Sequence, residues 1–332
     1  VSALKNPTVG ELGERALISR IRELFPSLTL LGDDSAVLSP LSCPVVTTDS
    51  FQEGTHFYRW WCDPDILGRR LLEAALSDLA AMGAEPGWVF AAMGLPPDLE
   101  VRWLENFYRG LTCRPDCVLA GGEIIQSAAL TLTLTAVGEG GDPEKLLLRS
   151  SLGHDDWLWL TGPIGRAVDA PALLDRAGGM SGTGLEPVNP GLDPASIEQI
   201  RAFLQPRAEF EASRLLRNRG VRAAIDVSDG LISEATHLAR ESGVDTHIEL
   251  DLVPMFGSVA DRPLDAASAG EDFVLLFGAE SGQDFAAEGF SKVGYSSRGI
   301  GEVHVHSGGQ VLETHGSGYD HFQDIEPDLI GG

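Results

Sequence analysis

The chain has 332 residues, of which 43% are apolar and 22% charged, the balance of a soluble globular protein long enough for two domains. Acidic residues outnumber basic ones 49 to 24, giving a net charge of −25 with Lys5, Lys145 and Lys292 as the only lysines; such a surface repels nucleic acid and anionic membrane and attracts cations. No run of eighteen apolar residues, no basic segment ahead of an apolar stretch and no CxxC spacing among Cys43, Cys62, Cys113 and Cys117 lead us to expect no membrane span, no signal peptide, and reduced thiols in a cytoplasmic protein.

Helical spacing of Leu12, Ala16, Leu17, Ile21 and Leu24 predicts a helix over 12–25. A strand is expected at 44–48. Asp63-Pro64 then starts a helix that runs to about Met82 and stops at Gly83, with Asp63 as N-cap and Pro64 at the first helical position. A strand at 88–95, a helix from Asp98 to about Leu111, a short strand at 118–120 and a longer one at 129–137 follow. Trp60 and Trp61 are consecutive, so one is expected to pack and the other to be partly exposed.

The glycine-rich, acidic segment 138–143 marks a domain boundary, dividing the chain into 1–140 and 141–332. Beyond it we expect a strand at 157–161, a helix from about Gly165, and a loop over 178–194 rich in Gly, Pro and Asn. A helix at 207–219, a strand at 223–225, a helix at 231–241 and a strand at 273–277 complete the series. Strands alternate with helices in both halves, which predicts an α/β (α+β) fold for each.

The placement of aspartates carries the chemistry. Asp33 and Asp34 lie in a turn ahead of an apolar triplet, Asp49 ends one expected strand, and Asp226 ends another with Asp229 just beyond. Carboxylates at strand ends are well placed to converge on a crevice. Asp78 falls on the helical stripe Leu71, Ala75, Asp78, Met82 and interrupts an apolar face. A buried carboxylate there needs an arginine, backbone donors or a metal ion; an internal salt bridge or cap would serve as well. Together these acids suit Mg²⁺, which takes hard oxygen ligands. No GxxxxGK(S/T) loop and no HRDxxxxN or DFG set is present, so P-loop and protein-kinase phosphate handling are excluded on motif grounds.

Nine ordered motifs resemble the thiamine-monophosphate kinase family, within the wider superfamily of aminoimidazole ribonucleotide synthetase-like ATP enzymes. They begin with Gly32-Asp33-Asp34-Ser35-Ala36-Val37, Thr47-Thr48-Asp49, Glu53-Gly54-Thr55-His56-Phe57 and the stretch from Leu76 to Ala84 around Asp78. Gly121-Gly122-Glu123, Arg149-Ser150, the stretch from Asp226 to Leu231, Gly270-Glu271-Asp272-Phe273 and Gly318-Tyr319-Asp320-His321-Phe322 follow. The resemblance implies an N-terminal sheet-plus-helices domain that makes a homodimer and a C-terminal α/β domain, with ATP and several Mg²⁺ ions in a cleft. It implies Asp34, Thr47, Thr48, Asp49, Asp78, Glu123, Asp226 and Asp229 as metal ligands, with Asp49, Asp78 and Arg149 catalytic. Tyr108, Gly122, Glu123, Arg149 and Ser228 match the nucleotide side, and His56, Glu271 and Tyr319 the thiamine-phosphate side. The implied reaction is ATP plus thiamine monophosphate giving ADP plus thiamine diphosphate.

Two segments depart from the family pattern. GGDTTRG has become Gly121-Gly122-Glu123-Ile124-Ile125-Gln126-Ser127, and GGEDYEL has become 269–275 with Ala269 first. The first change loses an arginine, for which Arg166 is the candidate replacement. The same departures motivate two other expectations: a superfamily enzyme with a different phosphoryl acceptor, and a non-catalytic binder of nucleotide or thiamine phosphate.

Overall fold

The computed structural model describes residues 6–26, 28, 30, 34–182 and 184–312. In chain order the elements are α1 (Val9–Leu12), α2 (Glu14–Leu24), β1 (Pro44–Gln52), α3 (Pro64–Ala81), β2 (Glu85–Leu95), α4 (Val101–Leu111), β3 (Val118–Gln126) and β4 (Thr131–Glu139). Then come β5 (Trp157–Leu160), α5 (Ala170–Ala177), β6 (Met180–Ser181), β7 (Glu186–Pro187), α6 (Pro194–Leu204), α7 (Phe210–Asn218) and β8 (Ala223–Asp226). The chain continues with α8 (Leu231–Ser242), β9 (Val244–Glu249), α9 (Pro263–Ser268), β10 (Leu275–Ala279), β11 (Ser291–Arg298), β12 (Val303–Ser307) and β13 (Gln310–Leu312). The α/β class expected from the alternation of strands and helices holds. Among the described residues no helix is long and apolar enough to cross a membrane.

Two compact units result, one of residues 1–148 and 169–222, the other of 149–168 and 223–332. The first is built on a sheet of order β1-β4-β2-β3, antiparallel except for β2 with β3. Leu132, Leu134 and Ala136 of β4 and Val89, Ala91 and Met93 of β2 are buried on its inner face, and α3 packs there with α4 beside it. Strand β3 runs well past the expected 118–120. It carries two glycines, Gly121 and Gly122; a Cβ on Gly122 would sit 1.9 Å from the Ala91 carbonyl oxygen, so glycine is what lets the strands approach.

Other boundaries moved for local reasons. Gly13 divides the expected 12–25 helix into α1 and α2. Helix α4 starts at Val101 rather than Asp98, because the carbonyls of Pro97 and Leu99 accept from Gly10 and Val9 at the start of the chain. Asp63 and Pro64 do occupy the N-cap and first positions of α3, but the Asp63 carboxylate accepts from the Gly182 amide instead of capping. That bond, with Met180 donating to the Trp61 carbonyl, ties the 178–194 stretch down as the hairpin β6–β7. Trp61 is buried and Trp60 half-exposed.

The second unit is a sheet of order β13-β12-β9-β11-β5-β10-β8. Its core gathers Leu158, Leu160, Ile225, Leu231, Leu238, Ile248 and Leu276 around α8. No helix starts at Gly165, because the Gly165 and Arg166 amides are committed to the Asp272 carboxylate. The strand expected at 273–277 begins only at Leu275, since Phe273 holds a left-handed backbone with φ 50°.

Candidate active site

In the first unit, β1 alternates. Val45, Thr47 and Asp49 are partly buried toward α3, whereas Val46, Thr48 and Ser50 are exposed on the other face. The Thr47 hydroxyl donates to Asp78 Oδ2. This bond answers the question raised by the α3 stripe: Leu71 and Ala75 are fully buried, Asp78 is partly so, and a threonine from the adjacent strand meets its carboxylate. Thr47 and Asp78 thus meet, and Asp49 lies on the same face of β1, two residues along from Thr47. The Thr48 side chain is turned away from it and pairs with the Thr135 hydroxyl at 3.0 Å.

Sheet register places the other predicted residues. Asp49, Leu134, Ala91 and Gly122 form one row across the sheet, so Gly122 lies three strand spacings, about 14 Å, from Asp49. Glu123 belongs to the next row, with Ala92, Thr133 and Ser50, and its side chain faces the other way. Within one chain, Glu123 and Asp49 cannot share an ion whose ligands sit about 2 Å from it. Glu123 instead lines a cavity of about 430 Å³ at the β3 edge, together with Gly122, Tyr108, Asp34, Phe90 and Ile21. Tyr108 is buried, which pushes its phenol well above the usual range, and its ring lies 6.0 Å from that of Phe25.

The turn from Gln52 to Phe57 presents His56. The Gln52 amide donates to His56 Nδ1 at 3.1 Å, which places the ring proton on Nε2. Glu53 holds the turn through Arg59 at 2.7 Å. Beneath it, the buried Arg70 donates to the His56 and Phe203 carbonyls and stacks on the Phe203 ring.

In the second unit, two predicted motifs lie side by side. The Glu271 amide donates to the Ser228 carbonyl at 2.6 Å, and the Asp272 and Phe273 amides to that of Val227. A Cβ on Gly270 would come within 2.2 Å of the Ser228 oxygen, so the loops touch only because that residue is glycine. Glu271 itself has φ 60°, a conformation held by these bonds. Asp226 is buried at the end of β8, Asp229 is exposed, and Arg149 is exposed on a short 3-10 turn whose Arg149 carbonyl accepts from Ser242. Tyr319 lies outside the described residues, as does Asp33.

Residues 32–139 match the family described as AIR synthase related protein, N-terminal domain. The thiamine-monophosphate kinase of Synechococcus elongatus is 33% identical over 286 residues, spanning 82% of this chain and 84% of that protein. The chain belongs to the thiamine-monophosphate kinase family. The thiamine-monophosphate kinase structure from Stenotrophomonas maltophilia K279a superposes with a TM-score of 0.73 at 30% identity, covering 89% of this chain and 96% of that one. A structure of AaThiL complexed with AMPPCP and TMP gives 0.73 at 27%, covering 94% and 98%.

Two further carboxylates lie beside these residues, Glu234, which the sequence reading did not name, and Asp272, which it named only within a motif. Glu234 is buried, accepts from the Asp229 amide at 3.2 Å and the Ser228 hydroxyl at 3.4 Å, and is pushed up to about 7 by burial. It lies on the α8 stripe Leu231, Glu234, Leu238, the pattern that exposed Asp78, so the signal was present. Asp272 is fully buried and raised to about 7, again chiefly by burial, although it accepts from two backbone amides. Arg166 lies 3.5 Å from it with 11% of its side chain exposed. The guanidinium expected to replace the missing phosphate arginine is therefore turned to a buried carboxylate.

Proposed function

We propose that this chain transfers the γ-phosphoryl group of ATP to thiamine monophosphate, giving thiamine diphosphate and ADP. Its family membership supports this reading, as does its likeness, over nearly the full length, to a structure that holds both AMPPCP and TMP. A phosphate oxygen of thiamine monophosphate attacks the γ-phosphorus, and the bond from that phosphorus to the β,γ-bridging oxygen breaks. The attacking oxygen is already ionised near neutral pH, so no catalytic base is required. Alignment and charge neutralisation are.

The donor set fits Mg²⁺. Every candidate ligand in Thr47, Asp49, Asp78, Asp34, Asp226 and Asp229 is a hard oxygen, and none is a thiolate or imidazole. Thr47, Asp49 and Asp78 would hold the ion in the first unit, and Asp226 and Asp229 in the second. Bound there, Mg²⁺ would offset the charge of the polyphosphate. Tyr108, Gly122 and Glu123 line the cavity assigned to the nucleotide, where Asp34 also lies, and Arg149 and Ser228 are assigned to its phosphates. His56 Nε2–H and Glu271 are assigned to the thiamine-phosphate side, with Tyr319. In this reading residues 1–140 supply the nucleotide- and metal-binding domain and 141–332 complete it.

The outer face of the β1-β4-β2-β3 sheet, with Val46 and Ile125 each 59% exposed, is assigned to a homodimer interface in a cytoplasmic enzyme. Sedimentation equilibrium of a Val46→Asp, Ile125→Asp variant would then report monomer. Coupled ADP release is the test of the reaction. Turnover is expected only with ATP, Mg²⁺ and thiamine monophosphate together, and ADP release that ignores thiamine monophosphate would overturn the reading.

A further inference from the structure

The face of the second unit's sheet that carries Asp245 and His247 on β9, and His304 and His306 on β12, has no part in the reaction above. Strand β9 lies four strand spacings from β8 and its Asp226, about 19 Å. Asp245, Glu302 and His304 each offer a ligand atom, and these atoms all lie within 4.8 Å of one another. His304 Nε2 is 3.6 Å from Asp245 Oδ2 and 4.0 Å from Glu302 Oε2. Ligands of a tetrahedral zinc ion, bound at about 2.0–2.1 Å, stand about 3.3 Å apart.

We infer that Asp245, Glu302 and His304 form a binding site for a divalent transition-metal ion of the Zn²⁺ type. Two of the three ligands are already held. Asp245 Oδ1 accepts from the amides of Ile300 at 2.8 Å, Gly301 at 3.1 Å and Glu302 at 2.9 Å, which leaves Oδ2 aimed at His304. The His304 ring stacks on His247 with centroids 4.8 Å apart and planes 23° off parallel. His247 is itself committed, through Nδ1 to His306 at 3.2 Å and through Nε2 to Ser297 at 3.0 Å. Glu302, with 62% of its side chain exposed, is free to swing inward and close the triangle. The imidazole nitrogen selects a Zn²⁺-like ion over Mg²⁺, and two carboxylates would neutralise its charge. Three protein ligands leave a fourth position for water.

Equilibrium dialysis of the full chain against Zn²⁺ in excess Mg²⁺ tests this without reference to kinase activity. Glu302→Gln and His304→Ala should each weaken Zn²⁺ binding about tenfold or more. Glu302 is exposed, so its variant keeps the fold even if loss of His304 does not. Zn²⁺ affinity equal to the parent's in either folded variant, or no Zn²⁺ retained by the parent chain, would overturn the assignment.

Discussion

The two units place their acids by different means. In the first, regular geometry does it: a strand alternates, a helix repeats, and Thr47 meets Asp78 where the two periods coincide. In the second, irregular backbone does it. Gly270, Glu271 and Phe273 form a loop that no helix or strand period describes, and its bonds to Val227 and Ser228 carry the acids into place. Asp49 and Asp78, set by periodicity, are only partly buried and stay available for cations. Asp272, set by the loop, is buried, as is Glu234 on α8, which braces Ser228 and Asp229, and burial holds both protons up to about 7. The first arrangement suits ligands and the second suits supports.

The largest effect should separate ligands from supports. Asp78→Asn and Asp49→Asn are each expected to lower kcat about a thousandfold, roughly 4 kcal/mol of transition-state stabilisation, with an unchanged far-ultraviolet spectrum and melting temperature. A variant that melts early instead would move that acid into the class of supports. Next comes Arg70→Ala, which removes a buried guanidinium bonded to two carbonyls and stacked on Phe203. It should cost about 3 kcal/mol of stability in urea unfolding, and its effect on turnover should follow from the loosened His56 turn.

Asp272 supplies a pH test of the support class. Its folded value of about 7 lies above the 3.8 of the unfolded chain, so between those values the folded state binds more protons. Stability contributed by this group is therefore present at low pH, declines as pH rises from about 4 to about 7, and is flat above. Glu234, raised to about 7 from 4.5, acts with the same sign. Asp272→Asn should flatten the slope of unfolding free energy against pH across this window in metal-free protein, by up to about 4 kcal/mol over its span. An unchanged slope would mean that Asp272 is ionised when folded and that Arg166 neutralises it.

Much of the first unit could be read from the sequence because its signals are periodic. The stripe through Asp78 and the Asp63-Pro64 start of α3 needed no knowledge of partners. Strand β3 was underestimated because glycine lowers strand propensity on its own, whereas here its missing side chain is what allows pairing. Elements α6, α9, β9 and β11–β13 were not read from the chain at all. Several are short; β9 alternates Val244, Thr246 and Ile248 on its buried face, while its other face, with that of β11, carries His247, Tyr295 and Ser297, held by ring stacking and a hydrogen bond. In the second unit Asp226 and Asp229 could be read from their place at a strand end, whereas Arg149, Ser228 and Glu271 emerged only as family motifs. A left-handed Glu271 has no signature in a single sequence, because the bonds that hold it come from a loop more than forty residues earlier.

The smallest effect is also the sharpest test of how β1 works. Thr47 and Thr48 are adjacent and chemically identical, so alternation alone distinguishes them. Thr47 meets Asp78, and its replacement by alanine removes a hydrogen bond to a proposed metal ligand; a loss of about tenfold in kcat, roughly 1.4 kcal/mol, is expected. Thr48 bonds Thr135 on an exposed face, next to the matching Ser50–Thr133 pair. Thr48→Ala should alter kcat less than about twofold and stability by less than about 0.5 kcal/mol. Were the two replacements to reduce turnover equally, the Thr48 side chain would have to reach the reaction from the other face of the sheet. The proposed metal group of Thr47, Asp49 and Asp78 would then need redrawing around both faces of β1.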